Sequence, residues 1–437
     1  MDLGSLGRAL AHRNFRLFFF GQGVSLIGTW MQQVALSWLV FELTGSSFWL
    51  GFVSFSGQAP ALALAPFAGV FVDRWNRHRL LLATQTVMML QAFAMAALAL
   101  TGTADVTNLV TLSVVLGVVN VFDMTARQAF YTEMLDRRED LANAIALNST
   151  MVNGSRLVGP ALAGLLLAET SAGVCFLVNG LSYLAVLAAL LAMRLNPRPR
   201  ERSRGRVLAG LREGIGYAFG FAPIRAILLL LSLVSLMGMS YSVLLPIFAR
   251  DVLGGGAYTY GLLGAASGVG ALAGALRLAA RHSVLGLGRW IAVMPALFGA
   301  ALIAFSFSRT LWLSLPLLAV AGFAMMVHMA ASNTVLQTIV DEDKRGRVMS
   351  LYTMAFLGTA PLGSLLAGWL ADVNLIGAQN TVRLGGACCA VGSLLFAAQL
   401  PRLREKVRPI YVRMGILPEV AAGIGAASEM AVPPEEQ

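Results

Sequence analysis

Charge is scarce in this sequence. Of 437 residues only 12% are Asp, Glu, Lys or Arg, about half the share usual in soluble proteins. A soluble fold of that length exposes more surface than so few charges can cover, which excludes a soluble enzyme. Cysteine is scarce too: Cys175, Cys388 and Cys389 all lie in apolar stretches. An odd number without framework spacing excludes a disulfide scaffold and a cysteine metal site, so the three read as small packing residues. The patterns HExxH, CxxC and G-x-S-x-G are absent, and the paired glycines Gly264/Gly268 and Gly270/Gly274 lack the Lys of a phosphate loop. Carboxylates, His and Cys do not cluster at membrane depth. The expectation is therefore no catalytic residue, no metal and no cofactor. The first apolar run, from about Phe15 to Phe41, is too long for a signal peptide and lacks a cleavage pattern.

Apolar residues are what the sequence has in excess, at 57% with a mean hydropathy of +0.73. Nearly uncharged runs long enough to cross a bilayer core, which takes about 20 helical residues, recur twelve times. They lie near 16–41, 47–72, 80–101, 106–126, 142–168, 173–193, 226–249, 258–280, 290–308, 311–337, 348–371 and 382–400. The expected fold class is all-α integral membrane, with twelve transmembrane helices in two six-helix bundles.

The basic residues orient the chain. With both termini cytoplasmic, 28 of the 32 Lys and Arg residues fall in inside segments, leaving Arg250, Arg309 and Arg383 outside and Arg156 within a span. Such asymmetry marks the cytoplasmic loops, so the net charge of +10 reads as topology and no nucleic-acid partner is expected. The longest internal polar stretch begins at Arg194. It divides the chain into an N-terminal six-helix bundle (1–193), a cytoplasmic central linker (194–222), a C-terminal six-helix bundle (223–400) and a cytoplasmic tail (401–437). The halves echo one another. Residues 140–164 and 344–368 each follow an acidic loop, enter the fifth span of their half and end in a Pro/Gly pattern. Six plus six spans around a polar linker suggest a shared cavity at the interface of two repeats.

The most specific local pattern joins spans two and three: Gly69, Asp73, Arg74 and Arg77 in a G-x-x-x-D-R-x-x-R arrangement. Gly69 permits close helix approach, Asp73 suits a facing helix N-terminus, and the arginines can pair with carboxylates. This loop resembles the hallmark of the major facilitator superfamily, with Asn76 where that family has Gly. The segments His12–Arg16, Gly28–Gln33, Leu43–Ser46, Phe122–Phe130 and Arg345–Ser350 are similar to the branch containing the bacterial enterobactin exporter and related transmembrane secretion effector proteins, with Thr125 where the branch has Pro. The resemblance covers residues 8–400. It implies a secondary transporter working by alternating access: an exporter of a siderophore, drug or metabolite, in the bacterial inner membrane, monomeric, with a small-molecule substrate, protons and the lipid bilayer as its partners. The alternatives are an importer of the same fold, or a membrane sensor or enzyme that transports nothing.

Two charges stand out within this frame. Asp123 and Arg127, four apart, share a helix face. They read either as a structural latch, with Asp123 paired to Arg77 or Arg127, or as a proton-sensing carboxylate. Arg156 lies well inside a span, where an arginine costs at least about 2.5–3.5 kcal/mol; it is either satisfied by neighbouring polar groups or binds an anionic substrate group. His328 is a further coupling or substrate candidate. The resemblance implies that spans one, four, seven and ten line the cavity. The candidate lining residues are then Gln22, Trp30, Gln32, Gln33, Asn120, Tyr241 and Asn333, a surface suited to an amphipathic organic molecule.

Overall fold

A computed structural model describes residues 7–194, 207–281, 283–372 and 376–417. Twelve helices are long and apolar enough to cross a membrane, and no strand occurs among the described residues. The first six are α1 (Arg13–Thr44), α2 (Ser47–Arg74), α3 (Arg77–Leu100), α4 (Val106–Met134), α5 (Leu141–Glu169) and α6 (Ala172–Leu191). The second six are α7 (Ala222–Val252), α8 (Ala257–Ala279), α9 (Leu287–Phe307), α10 (Leu311–Ile339), α11 (Glu342–Asp372) and α12 (Gly377–Arg413). A short linker helix, Val207–Gly220, precedes α7. Much of the expected linker and the tail beyond Leu417 lie outside the described residues.

Local chemistry sets the helix ends. Gly45 closes α1 at φ 61°, a left-handed position that glycine reaches without a Cβ clash. The Asn76 side chain accepts the Arg79 N–H at 3.1 Å and caps α3, so the residue that departs from the family loop has a structural task. Asp105 caps α4 through the Asn108 N–H at 2.7 Å. Leu165, Leu184, Val293 and Leu394 are exposed on the helix surfaces, as an apolar solvent requires.

The helix contacts repeat. In the first half α1 packs on α5 and α6, α2 on α4, and α3 on α4 and α6. Six helices on, α7 packs on α11 and α12, α8 on α10, and α9 on α10 and α12. The halves meet along two seams, α5–α8 and α2–α11, and the Tyr241–Ile247 segment of α7 also touches α1 and α2. Call the end carrying Arg13, Arg74, Arg77 and Arg347 the basic end. Both seams are tightest at the far end. A Cβ on Gly261 would come within 2.5 Å of the Gly164 Cα, and one on Gly368 within 2.8 Å of the Gly51 Cα. Only glycine allows backbones to approach so closely. Around these pairs Trp38 stacks on Tyr260 at 6.1 Å, Arg250 lies 5.6 Å over Phe41, and Ser46 Oγ donates to Asp372 Oδ1 at 3.2 Å. The seams continue inward as far as Leu157–Gly268 and Leu62–Gly358. Towards the basic end Phe67, Phe71, Met124, Ile145 and Met354 are exposed. The far end is sealed and the basic end is parted.

Candidate functional site

Arg156 is carried to mid-seam by α5. There it borders a cavity of about 10 Å³, lined also by Tyr241, Ser267, Phe298, Met325 and Met329 from the second half. That is room for about one water. The guanidinium lies 5.5 Å from the Trp30 ring centroid, a cation–π contact. Tyr241 and Ser267 share a hydrogen bond at 2.8 Å, and Phe298 meets the Tyr241 ring edge-to-face at 6.1 Å. Met239 and Met326 add polarisable surface. No ion pair among the described residues includes Arg156. The arrangement is one cation without an acid partner, faced by aromatic rings, thioethers and a hydroxyl pair.

Asp123 sits elsewhere. It is fully buried inside the first half, between α3 and α4. Thr84 Oγ1 donates to it at 2.9 Å, Gln85 Nε2 at 2.8 Å, and Arg127 pairs with it one turn away. Of the two partners expected, Arg127 is the one found. Arg77 reaches Glu133 Oε1 at 3.0 Å and the Ala129 carbonyl at 3.3 Å instead. Arg74 is exposed, and the side chain of Asp73 lies outside the described residues. The close approach expected at Gly69 is absent among the described residues: none lies within 4 Å of where its Cβ would be.

The lining expected from α1 needs correction. Gln22 and Gln32 are only 2% and 3% exposed, and Gln32 turns into the first half rather than towards the seam. Gln32 donates to Gln91 Oε1 at 3.1 Å and accepts from Asn179 Nδ2 at 2.7 Å, tying α1 to α3 and α6. A buried amide in lipid must find such partners, and they lie on neighbouring helices of its own half. Gln33 and Asn120 are exposed. Asn333 is half-buried and accepts from Gln337 at 2.5 Å. His328 is fully buried beside the Ile291 backbone of α9, with neither ring nitrogen in hydrogen-bond geometry among the described residues. Of the expected candidates, Arg156, Trp30 and Tyr241 are the ones that come together at the seam.

The sequence singled out His12, just before α1, only within the His12–Arg16 segment and gave it no role. Its ring nitrogens lie 2.9 Å from Asp136 Oδ2 and 2.9 Å from Asp140 Oδ2 in the α4–α5 connection. Burial opposes charge on this ring, but the two carboxylates outweigh it and hold the His12 pKa above its ordinary value. Ser267 and the far-end Tyr260 were also missed; the repeated glycines were the signal available for that end.

Twelve spans, repeated helix contacts and a seam with a polar centre define a polytopic membrane transporter of the major facilitator fold. Solved structures agree in fold: a bacterial homologue of the human lysosomal transporter Spinster, in an inward-facing conformation, aligns with a TM-score of 0.67 at 15% identity over 94% of this chain and 97% of that one. The nucleoside transporter NupG aligns at 0.67 and 14% identity, over 88% and 98% of the two chains. A family model described as transmembrane secretion effector matches residues 7–412, and the chain belongs to that family. Among relatives, the staphyloferrin A transporter of Staphylococcus aureus is 27% identical over 82% of this chain and 89% of its own length. The multidrug efflux pump Tap of Mycolicibacterium fortuitum is 28% identical over 89% and 96%. Macrolide efflux protein A of Streptococcus pyogenes is 23% identical over 87% and 96%.

Proposed function

We propose that the protein is a proton-coupled exporter of an amphipathic organic solute, a siderophore, drug or metabolite, in a bacterial inner membrane. The carrying observation is the Arg156 chamber: an acid-free cation with Trp30, Tyr241, Phe298 and a methionine cluster, at the seam between the halves. Such a surface suits a solute with an anionic or electron-rich group on a largely apolar body. Relatives named for drug efflux and for a siderophore support export of this class of molecule.

In this reading residues 1–193 and 223–400 rock as two units about the chamber, joined by the cytoplasmic linker 194–222 and followed by a cytoplasmic tail, with the chain working as a monomer. Both termini and the basic end face the cytoplasm, as the positive-inside distribution supports. The sealed far end and parted basic end then correspond to a conformation that takes substrate from the cytoplasm. Protonation of Asp123 would loosen its pair with Arg127 and so couple the gradient to the α3–α4 packing. When the basic end closes, Gly69, Asp73, Arg74 and Arg77 come near the second half.

The test is transport in inverted membrane vesicles with an imposed pH gradient, read with macrolides, cationic dyes and siderophores. Uptake of one class that collapses when the gradient is dissipated is the expected result. Flux indifferent to the gradient overturns proton coupling, and no flux in this direction overturns export.

A further inference from the structure

At the basic end of the first half, the space enclosed by the ends of α1, α3, α4 and α6 is filled. Phe15, Phe18, Leu80, Phe130 and Leu190 are buried there in one cluster, and the turn Arg8–Ala11 packs beside it on α1 and the start of α5, with Ala9 fully buried. The corresponding space of the second half, at the ends of α7, α9, α10 and α12, holds a cavity of about 650 Å³. No described residue of the linker helix Val207–Gly220 lines it. The linker helix lies instead on the start of α11, through Glu213–Arg347 at 2.5 Å and a hydrogen bond from the Tyr217 hydroxyl to Asp341 at 3.1 Å. The cavity shares no lining residue with the Arg156 chamber.

Its walls and mouth differ in chemistry. Ile227, Ile291, Val335, Ile339, Phe396 and Leu400 make the apolar body. Arg289, Arg404 and Arg408 line the mouth against a single carboxylate, Glu405, and all three arginines are exposed. The 37 residues of α12 reach about 55 Å at about 1.5 Å per residue, well beyond a bilayer core of about 30 Å. The turns bearing Arg404 and Arg408 therefore stand at the headgroup level or past it.

We propose that this cavity binds one molecule of an anionic phospholipid. Its acyl portion fills the apolar body and its phosphate lies among Arg289, Arg404 and Arg408. An apolar slot alone would accept any lipid; the excess of guanidinium at the mouth selects an anionic headgroup, the chemistry by which basic pockets between spans hold such lipids. A small free anion would leave the apolar walls bare. The size lies within the range of about 300–1,000 Å³ typical of ligand cavities. The assignment does not depend on the direction of transport or on its coupling.

The experiment is native mass spectrometry of the delipidated full chain, titrated with phosphatidylglycerol and, separately, with phosphatidylcholine. Phosphatidylglycerol is expected to bind tightly at one site and phosphatidylcholine weakly. R404Q/R408Q should weaken phosphatidylglycerol by about fivefold per arginine, with phosphatidylcholine unchanged. Leu400→Trp, which narrows the cavity and keeps every charge, should also weaken it. Undiminished phosphatidylglycerol binding in both variants overturns the proposal. Displacement of the lipid by millimolar inorganic phosphate overturns it in favour of a free-anion site. Phosphatidylglycerol bound only by a chain shortened after Leu417 overturns it in favour of the chain's own tail.

Discussion

Gly261 meets Gly164 across the α5–α8 seam so closely that a Cβ on Gly261 would lie 2.5 Å from the Gly164 Cα. The α2–α11 seam repeats the arrangement with Gly51 and Gly368. Gly164 and Gly368 close the two echoed segments 140–164 and 344–368. The same turn of the repeat therefore seals both sides of the far end.

A wedge at this point should open that end. Gly261→Leu forces backbone apart, and overpacking costs about 1–3 kcal/mol, enough to change the population of the sealed state by about 5- to 150-fold. Labelling of a cysteine introduced at Ser46 by a membrane-impermeant thiol reagent should rise accordingly, with transport reduced. Unchanged labelling would show that the seam does not hold the end shut.

Asp123→Asn leaves Arg127 buried with its charge unpaired, at a cost of about 3–5 kcal/mol. The variant should unfold at lower temperature in detergent and transport poorly. D123N/R127Q, which removes both charges, should regain much of the stability. If it regains transport with gradient dependence intact, Asp123 is a latch and not the proton carrier.

Arg156→Gln separates structure from binding. An arginine held only for packing would leave a less stable protein when replaced. An arginine kept for substrate is a burden of about 2.5–3.5 kcal/mol or more at membrane depth. Thermal stability equal to or above that of the parent, with transport reduced at least tenfold, is the expected outcome. Thermal unfolding and vesicle uptake on the same preparation measure both.

The His12 clamp predicts a pH dependence. Because the folded pKa is raised, folding favours the protonated ring. Its stabilisation is complete below the unfolded value of about 6.5 and is lost as pH rises through the raised folded value. Melting temperature measured from pH 5 to 9 should therefore fall more steeply in the parent than in His12→Gln. Parallel curves would remove the clamp from any role in stability.

The spans were legible because their signal is length and composition, and lipid enforces both: a segment such as 173–193 has few ways to be anything but a crossing. The loop at Asn76 and the echo at Gly164/Gly368 were legible as local patterns. Which face of a span a polar residue takes was not. Gln32 and Asn179 sit 147 residues apart, and only the packing of α1 on α6 brings them to 2.7 Å. Arg156 was visible as a costly charge, yet its neighbours Ser267 and Met329 come from helices that nothing in its own segment specifies. The role of His12 escaped because its partners Asp136 and Asp140 lie in a loop that reads as ordinary solvated charge.

At its narrowest, the far-end closure is backbone against backbone, with no ionisable side chain between Gly164 and Gly261 or between Gly51 and Gly368. The ionisable side chains at that end flank these contacts instead, as Arg250 over Phe41 and Asp372 accepting from Ser46. Parting the glycine pairs themselves strips no ion, so salt and proton concentration on that face act on opening only through these flanking contacts.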